Sequence, residues 1–146
     1  MKKLYGVVVP IVTPLTQEDA IDVTSLKRLA DHCIDSGMQA IYPCGTTGEM
    51  MYLSVEERRL VAETVVRHAA GRVPVFVHVG AWNLRDTVEL AKHAAEIGAD
   101  GIAVVTPAFF SVRDQGLVDY FTTVAKSVPQ DFPVYLYAVS YTHLRA

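Results

Sequence analysis

The chain has 146 residues, of which 51% are hydrophobic and 20% are charged, and its net charge is −3. These values are typical of one globular domain and exclude a disordered or low-complexity chain. Without a basic run it is not expected to bind nucleic acid, and without about eighteen consecutive apolar residues it is not expected to span a membrane. Cys33 and Cys44 lack disulfide-framework and metal-ligand spacing, which indicates a reduced, cytoplasmic protein.

Short apolar runs rich in β-branched residues alternate along the chain with amphipathic segments. The runs contain no regular alternation of polar and apolar residues, which is typical of strands covered on both faces in a parallel sheet. We therefore predict strands over residues 7–12, 40–43, 75–79, 101–105 and 134–137.

The segments between these runs have helical periodicity and recognisable ends. In the second of them, Ser54 and Glu57 have the spacing of a capping box, and an apolar stripe that includes Leu60 and Val61 is predicted to face inward. The predicted helical segments, with their caps and stop residues, run over 22–37, 54–71, 83–98 and from about Ser111 to 128.

The order of strands and helices fits two α/β architectures. A doubly wound, flavodoxin-like binding module would normally cover its last strand with a helix, whereas nine residues follow Tyr137. A complete barrel of eight βα units takes roughly 250 residues. We therefore predict an incomplete TIM (β/α)8 barrel made of its N-terminal five βα-type strands, and a first strand inside the sheet would instead favour the flavodoxin-like module.

Both architectures bind ligands at the carboxyl ends of their strands. The loop Gly45–Glu49, which follows the second predicted strand, has two glycines that allow a tight turn and two threonines that offer hydroxyl and N–H groups. Such a turn can hold a carboxylate, although the threonines could instead satisfy the loop's own backbone. The chain contains neither a phosphate-binding P-loop nor a dinucleotide-binding glycine motif.

This loop, together with four other segments, resembles the dihydrodipicolinate synthase / N-acetylneuraminate lyase family over about residues 4 to 139. The resemblance implies a (β/α)8 barrel, commonly a homotetramer, that forms a Schiff base between pyruvate and a lysine and then adds or releases an aldehyde, without a cofactor or metal. It also divides the chain into a barrel portion, 1–139, and a tail that departs from the family, 140–146. The other segments are Thr13-Pro14, Gly98–Gly101, Thr106-Pro107 and Val134–Tyr137.

The resemblance also implies roles for three residues. Thr46 and Thr47 match the pair that binds the pyruvate carboxylate, and Thr46 helps to relay a proton. Tyr137 matches the catalytic tyrosine that acts as general acid and base beside the Schiff base. The Thr46-Thr47 pair favours the synthase branch, whereas His78-Val79-Gly80 is similar to the lyase branch, so the aldehyde partner stays open. Without the resemblance, Tyr137 and His78 would be interpreted as packing residues.

Two departures from the family pattern affect the expected chemistry. Phe109 stands where family members often have a tyrosine, and phenylalanine cannot pass a proton. The Schiff-base lysine belongs to a sixth strand, and none of the chain's five lysines falls at the end of a predicted strand: Lys2, Lys3, Lys27, Lys92 and Lys126. We therefore expect the parent protein to be an aldolase and this chain alone to be inactive, with a non-catalytic assembly fragment as a further alternative.

Overall fold

Strands and helices alternate along the chain in the computed structural model, which describes residues 5–107 and 111–137. Within these ranges, no helix combines the length and the apolar character needed to cross a bilayer. The strands are β1 (Val8–Pro10), β2 (Ala40–Tyr42), β3 (Phe76–His78), β4 (Gly101–Val105) and β5 (Val134–Tyr137). The helices are α1 (Val23–Asp35), α2 (Val55–Ala69), α3 (Leu84–Glu96) and α4 (Asp114–Lys126).

All the strand pairs are parallel, and each strand lies beside its neighbour in sequence. β1 pairs with β2, and β4 lies between β3 and β5. A single parallel bridge between Ile41 and Val75 joins the two sheets, and the His78 amide donates to the Pro43 carbonyl at 3.1 Å. Because β1 has only β2 as a partner in the described ranges, the first strand is not inside the sheet, contrary to the flavodoxin-like alternative.

The helices form one layer on one side of the sheets. α1 packs against α2, α2 against α3 and α3 against α4. A doubly wound sheet would instead divide its helices between two faces. Fully buried side chains fill the space between the strands and this layer, which is the hydrophobic core: Leu26, Ile41, Val61, Val65, Val75, Val79, Ile102, Val104 and Val124.

The opposite face of the strands carries aromatic side chains. Successive residues of a strand point to opposite faces, so Phe76 and Tyr135 lie on the side away from the core residue Ile102. Their rings meet edge to face with centroids 5.0 Å apart. A Cβ atom on Gly101 would lie 2.7 Å from Phe76 Cε1, so only glycine leaves room for that ring. This inner face therefore has its own packed layer.

Three local features differ from the sequence predictions. Strands β1 to β3 are shorter than predicted, and α4 begins at Asp114 instead of near Ser111, with Arg113 at its N-cap position and no side-chain capping bond. Leu60 is 44% exposed, although the stripe on α2 was predicted to bury it. Arg58, two residues earlier and therefore on the opposite side of the helix, is buried instead, so the buried face of α2 lies away from Leu60.

The capping box that opens α2 is present as predicted. The Ser54 hydroxyl accepts from the Glu57 amide at 3.2 Å, and the Glu57 carboxylate accepts from the Ser54 amide at 2.7 Å. Ser54→Ala is expected to lower the free energy of unfolding by about 1 kcal/mol, because the first turn loses an acceptor. Urea denaturation measures this change, with Thr122→Ala on the exposed face of α4 as the control. A loss below about 0.5 kcal/mol for Ser54→Ala would contradict it.

Candidate active site

The loop after β2 turns sharply at the carboxyl edge of the sheet. The Gly48 amide donates to the Gly45 carbonyl and the Glu49 amide to the Thr46 carbonyl, both at 3.0 Å. Cys44 and Glu49, on either side of the turn, have left-handed backbone conformations, with φ of 61° and 57°. Such conformations are costly for residues other than glycine, and they persist where the surrounding structure holds them.

The end of β1 holds this loop in place. The Thr13 hydroxyl donates to the Gly48 carbonyl at 2.8 Å. A Cβ atom on Gly48 would lie 3.0 Å from the Ile11 carbonyl oxygen, so the loop packs directly on the β1 backbone. Glycine is needed at this position because the close approach leaves no room for a side chain.

Thr46 and Thr47 are exposed at the top of the loop, between the buried glycines Gly45 and Gly48. Within the described ranges, neither hydroxyl and neither main-chain N–H of the two threonines makes a hydrogen bond. The loop therefore presents hydroxyl and N–H donors to solvent, and these donors make no hydrogen bond to the loop's own backbone. Such a group of donors suits a small anion.

Three aromatic side chains meet on the inner face below the loop. They belong to Tyr42, His78 and Tyr137, the last residues of β2, β3 and β5. The ring centroids are 5.9 Å apart for Tyr42 and His78, 6.1 Å for His78 and Tyr137, and 6.2 Å for Tyr42 and Tyr137. A Cβ atom on Gly45 would lie 2.6 Å from Tyr42 Cε1, so this aromatic cluster contacts the loop.

Two members of the aromatic cluster, Tyr42 and His78, are uncharged near neutral pH. Burial, reinforced by the neighbouring Tyr137 phenol, raises the pKa of Tyr42 well above its ordinary value. Burial also lowers the pKa of His78 to about 3, and the positive charge of Arg58 adds to this effect. The cluster therefore offers neutral hydrogen-bonding groups, whereas the loop above it offers donors for an anion.

Arg58 supports the site from behind, and sequence analysis did not identify it. Its side chain is 4% exposed, and its two terminal nitrogens donate to the carbonyls of His78 and Gly80, both at 2.8 Å. The buried Cys44 thiol donates to the Arg58 carbonyl at 3.6 Å. Arg58 therefore joins α2 to the ends of β2 and β3. The sequence signal for Arg58 was its position on the apolar stripe of α2 that includes Val61.

The other candidate reactive groups are placed differently. Burial raises the pKa of the Cys44 thiol to about 11, so this thiol is not an activated nucleophile. Lys27, Lys92 and Lys126 lie exposed on α1, α3 and α4, as predicted. Lys2, Lys3, Phe109 and the predicted tail, 140–146, lie outside the described residues. Within the described residues, no group of three or more His, Cys, Asp or Glu could hold a metal ion.

The structure places the three residues singled out for catalysis and binding at the same edge of the sheet. Thr46 and Thr47 lie on the loop after β2, and Tyr137 ends β5 and reaches the loop through the Tyr42 ring. No hydrogen bond joins Tyr137 to either threonine within the described ranges. Tyr42 was missed, although its alternation with Ala40 marks it as the inward residue at the end of β2.

Comparison with known proteins confirms the family resemblance. The model of the dihydrodipicolinate synthetase family matches residues 3–143. The rat N-acetylneuraminate lyase is 42% identical over 141 residues, which is 94% of this chain and 44% of that protein. The 4-hydroxy-tetrahydrodipicolinate synthase of Brucella abortus is 37% identical over 132 residues, covering 90% of this chain and 45% of that protein.

Solved structures show the same relationship in three dimensions. The crystal structure of YagE from E. coli K12, of the dihydrodipicolinic acid synthase family and in complex with pyruvate, has a TM-score of 0.87 and 37% identity. The match covers 90% of this chain and 44% of that one, so this chain spans less than half the length of the relatives it matches. The chain belongs to the dihydrodipicolinate synthetase family.

Proposed function

We propose that this chain is the pyruvate-binding part of a Schiff-base aldolase, built as the first five βα-type units of a (β/α)8 barrel. Strands in sequence order and a single outer layer of helices support a barrel wall. Relatives that are lyases and synthases of this family support an aldolase or lyase as the activity of the parent protein.

Thr46 and Thr47 are proposed to bind the pyruvate carboxylate. The observation that carries this proposal is the loop itself, whose exposed threonine hydroxyls and N–H groups have no partner in the described part of the chain. Donors that are already fixed in place bind a carboxylate with little loss of conformational entropy. The family resemblance adds a role for Thr46 in relaying a proton.

Tyr137 is proposed to be the general acid and base of the parent enzyme. It ends β5 on the inner face, where it joins Tyr42 and His78 in the aromatic cluster. A phenol in this position can exchange a proton with a bound carbonyl compound without adding charge to the site. The aldehyde co-substrate, the tetrameric parent and the cytoplasmic location are proposed from the resemblance alone.

The chain alone is proposed to be inactive. An imine forms only from an uncharged amine, and a lysine loses its proton near neutral pH only when it is desolvated or lies beside another cation. Lys27, Lys92 and Lys126 are exposed on helices instead. The missing step is therefore the attack of an amine on the pyruvate ketone.

An N-acetylneuraminate lyase is the second candidate for the parent protein. The similarity to the rat lyase and the sequence His78-Val79-Gly80 favour it, whereas Thr46-Thr47 and the similarity to the Brucella synthase favour the synthase. Both candidates use the same pyruvate site, so they differ only in the aldehyde.

Borohydride trapping tests the proposed inactivity. The 146-residue chain is incubated with pyruvate and borohydride, and its mass is measured before and after proteolysis. We expect no reduced pyruvate adduct on any of the five lysines. A stoichiometric adduct on one of them would contradict the proposal, and the peptide that carries it would identify the amine.

Equilibrium binding of pyruvate tests the carboxylate site itself. Thr47→Val keeps the shape of the side chain and removes one donor to an anion, so the Kd for pyruvate is expected to rise about ten-fold or more. Thr122→Val, on the exposed face of α4, is the matched control and should leave the Kd unchanged. Equal pyruvate affinities for the wild type, Thr47→Val and Thr122→Val would contradict the proposed site.

A further inference from the structure

A groove that opens to solvent lies between α1 and α2, and none of its lining residues belongs to the candidate active site. Its volume is about 290 Å³, close to the lower limit for ligand-binding pockets, which is roughly 300 Å³. Residues four apart share one face of a helix, so Val23 and Lys27 form the α1 wall, and Leu60 and Thr64 belong to the α2 wall. The groove is therefore large enough for a small molecule.

The apolar part of the groove consists of two aliphatic side chains. Leu60 is 44% exposed, although its stripe was predicted to face inward, and Val23 is partly buried on the α1 side. A single exposed leucine is ordinary on a protein surface. Here it forms part of the wall of a cavity, together with a second apolar side chain, so the two can cover a short hydrocarbon chain.

Thr64 provides a hydroxyl that the protein does not use. Thr64 is 8% exposed and lines the groove. The hydroxyls of two other helical threonines, Thr87 and Thr123, donate to the carbonyl four residues earlier, whereas that of Thr64 makes no hydrogen bond within the described residues. A hydroxyl left free beside a cavity can donate to a ligand.

The charged side chains around the groove favour an anion. Glu63 is the acidic residue among those lining it, and its carboxylate is already held by Arg67 Nη2 at 3.1 Å and by His93 Nε2 at 2.9 Å. The ring of His68 is likewise paired with a carboxylate of α1. Lys27 makes no ion pair within the described residues, and it lines the groove together with Arg67. These two cations are therefore available to a carboxylate from solution.

We propose that the groove between α1 and α2 is a binding site for a small carboxylate with a short aliphatic chain. The carboxylate lies between Lys27 and Arg67 and accepts a hydrogen bond from the Thr64 hydroxyl, and the chain lies along Leu60 and Val23. The site is built from the helix layer alone, so it does not depend on the proposed pyruvate site.

Titration of the full 146-residue chain with hexanoate, followed by NMR of the backbone amides, tests this site. Hexanoate is expected to shift the amides of the residues that line the groove, and the shifts should saturate. Acetate has the same carboxylate without the chain, so its Kd should be about ten-fold higher or more, because it buries less apolar surface.

Two lysine variants separate a built site from general attraction of an anion. Lys27→Met keeps the length of the side chain and removes its charge, so the Kd for hexanoate is expected to rise about three-fold or more. Lys92→Met, at an exposed position on α3, removes the same charge away from the groove and should leave the Kd unchanged. Leu60→Ala should raise the Kd for hexanoate about three-fold and leave that for acetate unchanged.

The inference is overturned if Lys27→Met and Lys92→Met weaken hexanoate binding equally, or if acetate binds as tightly as hexanoate. It is also overturned if no amide shift saturates, or if the shifts fall on Thr46 and Thr47 instead of on the groove. A chain that binds hexanoate in the groove but binds no pyruvate would overturn the proposed pyruvate site and leave this inference standing.

Discussion

Arg58→Met is expected to lower the free energy of unfolding by about 3 kcal/mol. Methionine has a similar length but donates no hydrogen bond, so the carbonyls of His78 and Gly80 would be buried without donors. Part of this loss is offset, because a buried guanidinium no longer has to be desolvated. Arg58→Lys should also lower the free energy of unfolding, but by less than Arg58→Met does, because one ammonium group cannot reproduce the forked geometry of the guanidinium.

Denaturation with urea measures this effect, and the chain provides a matched control one residue away. Arg59 lies on the surface in a 3.4 Å ion pair with Glu89, so Arg59→Met is expected to change stability by less than about 0.5 kcal/mol. If Arg58→Met were as stable as Arg59→Met, Arg58 would not hold the ends of the strands as described.

The stability of the chain is expected to fall as the pH drops below 6.5, and His78 is the main reason. In the folded chain the pKa of His78 is about 3, against an ordinary value of 6.5. Between these values the unfolded chain binds a proton at this residue and the folded chain does not. The free energy of unfolding should therefore decrease by up to about 1.4 kcal/mol per pH unit, the full contribution being present only above pH 6.5.

The comparison of the wild type with His78→Phe isolates this contribution. Tyr42, Tyr137 and the charge of Arg58 surround His78, and no described carboxylate is among them to stabilise a protonated ring. Denaturation curves at pH 7 and at about pH 4.5 should show a smaller loss for His78→Phe than for the wild type. The exposed His32→Gln is the control and should behave like the wild type.

Acidic side chains elsewhere limit the pH range of that comparison. Neighbouring histidines, His68 and His93, lower the pKa values of Asp31 and Glu63, so the stabilisation from these carboxylates is lost as the pH falls from their ordinary values, 3.8 and 4.5, through the lowered ones. Equal pH dependence in the wild type and His78→Phe, or a His78 ring that titrates near 6.5 by NMR, would contradict the neutral, buried histidine.

Periodicity and end signals in the sequence were sufficient to predict most helices and the parallel arrangement of the strands. The capping box of Ser54 and Glu57 marked the beginning of α2 correctly, because the motif satisfies its own backbone donors and needs no tertiary partner. The start of α4 was not predictable in the same way. Arg113 occupies the N-cap without a side-chain capping bond, so no local capping motif marks where that helix begins.

The candidate site was only partly visible in the sequence. Thr46 and Thr47 could be singled out because a glycine-rich turn after a strand is a local pattern. For Arg58 and Tyr42 the sequence pattern indicated only an inward position, because their importance depends on tertiary contacts. Arg58 reaches the carbonyls at the end of β3, and Tyr42 meets rings from β3 and β5. Such contacts join residues that are far apart in the chain.

A crystal structure of the 146-residue chain grown with pyruvate tests the central claim most directly. We predict a pyruvate carboxylate on the Thr46 and Thr47 donors and no covalent bond from pyruvate to any lysine. Electron density continuous from C2 of pyruvate to a lysine nitrogen, or a pyruvate bound away from the loop Gly45–Glu49, would contradict the account.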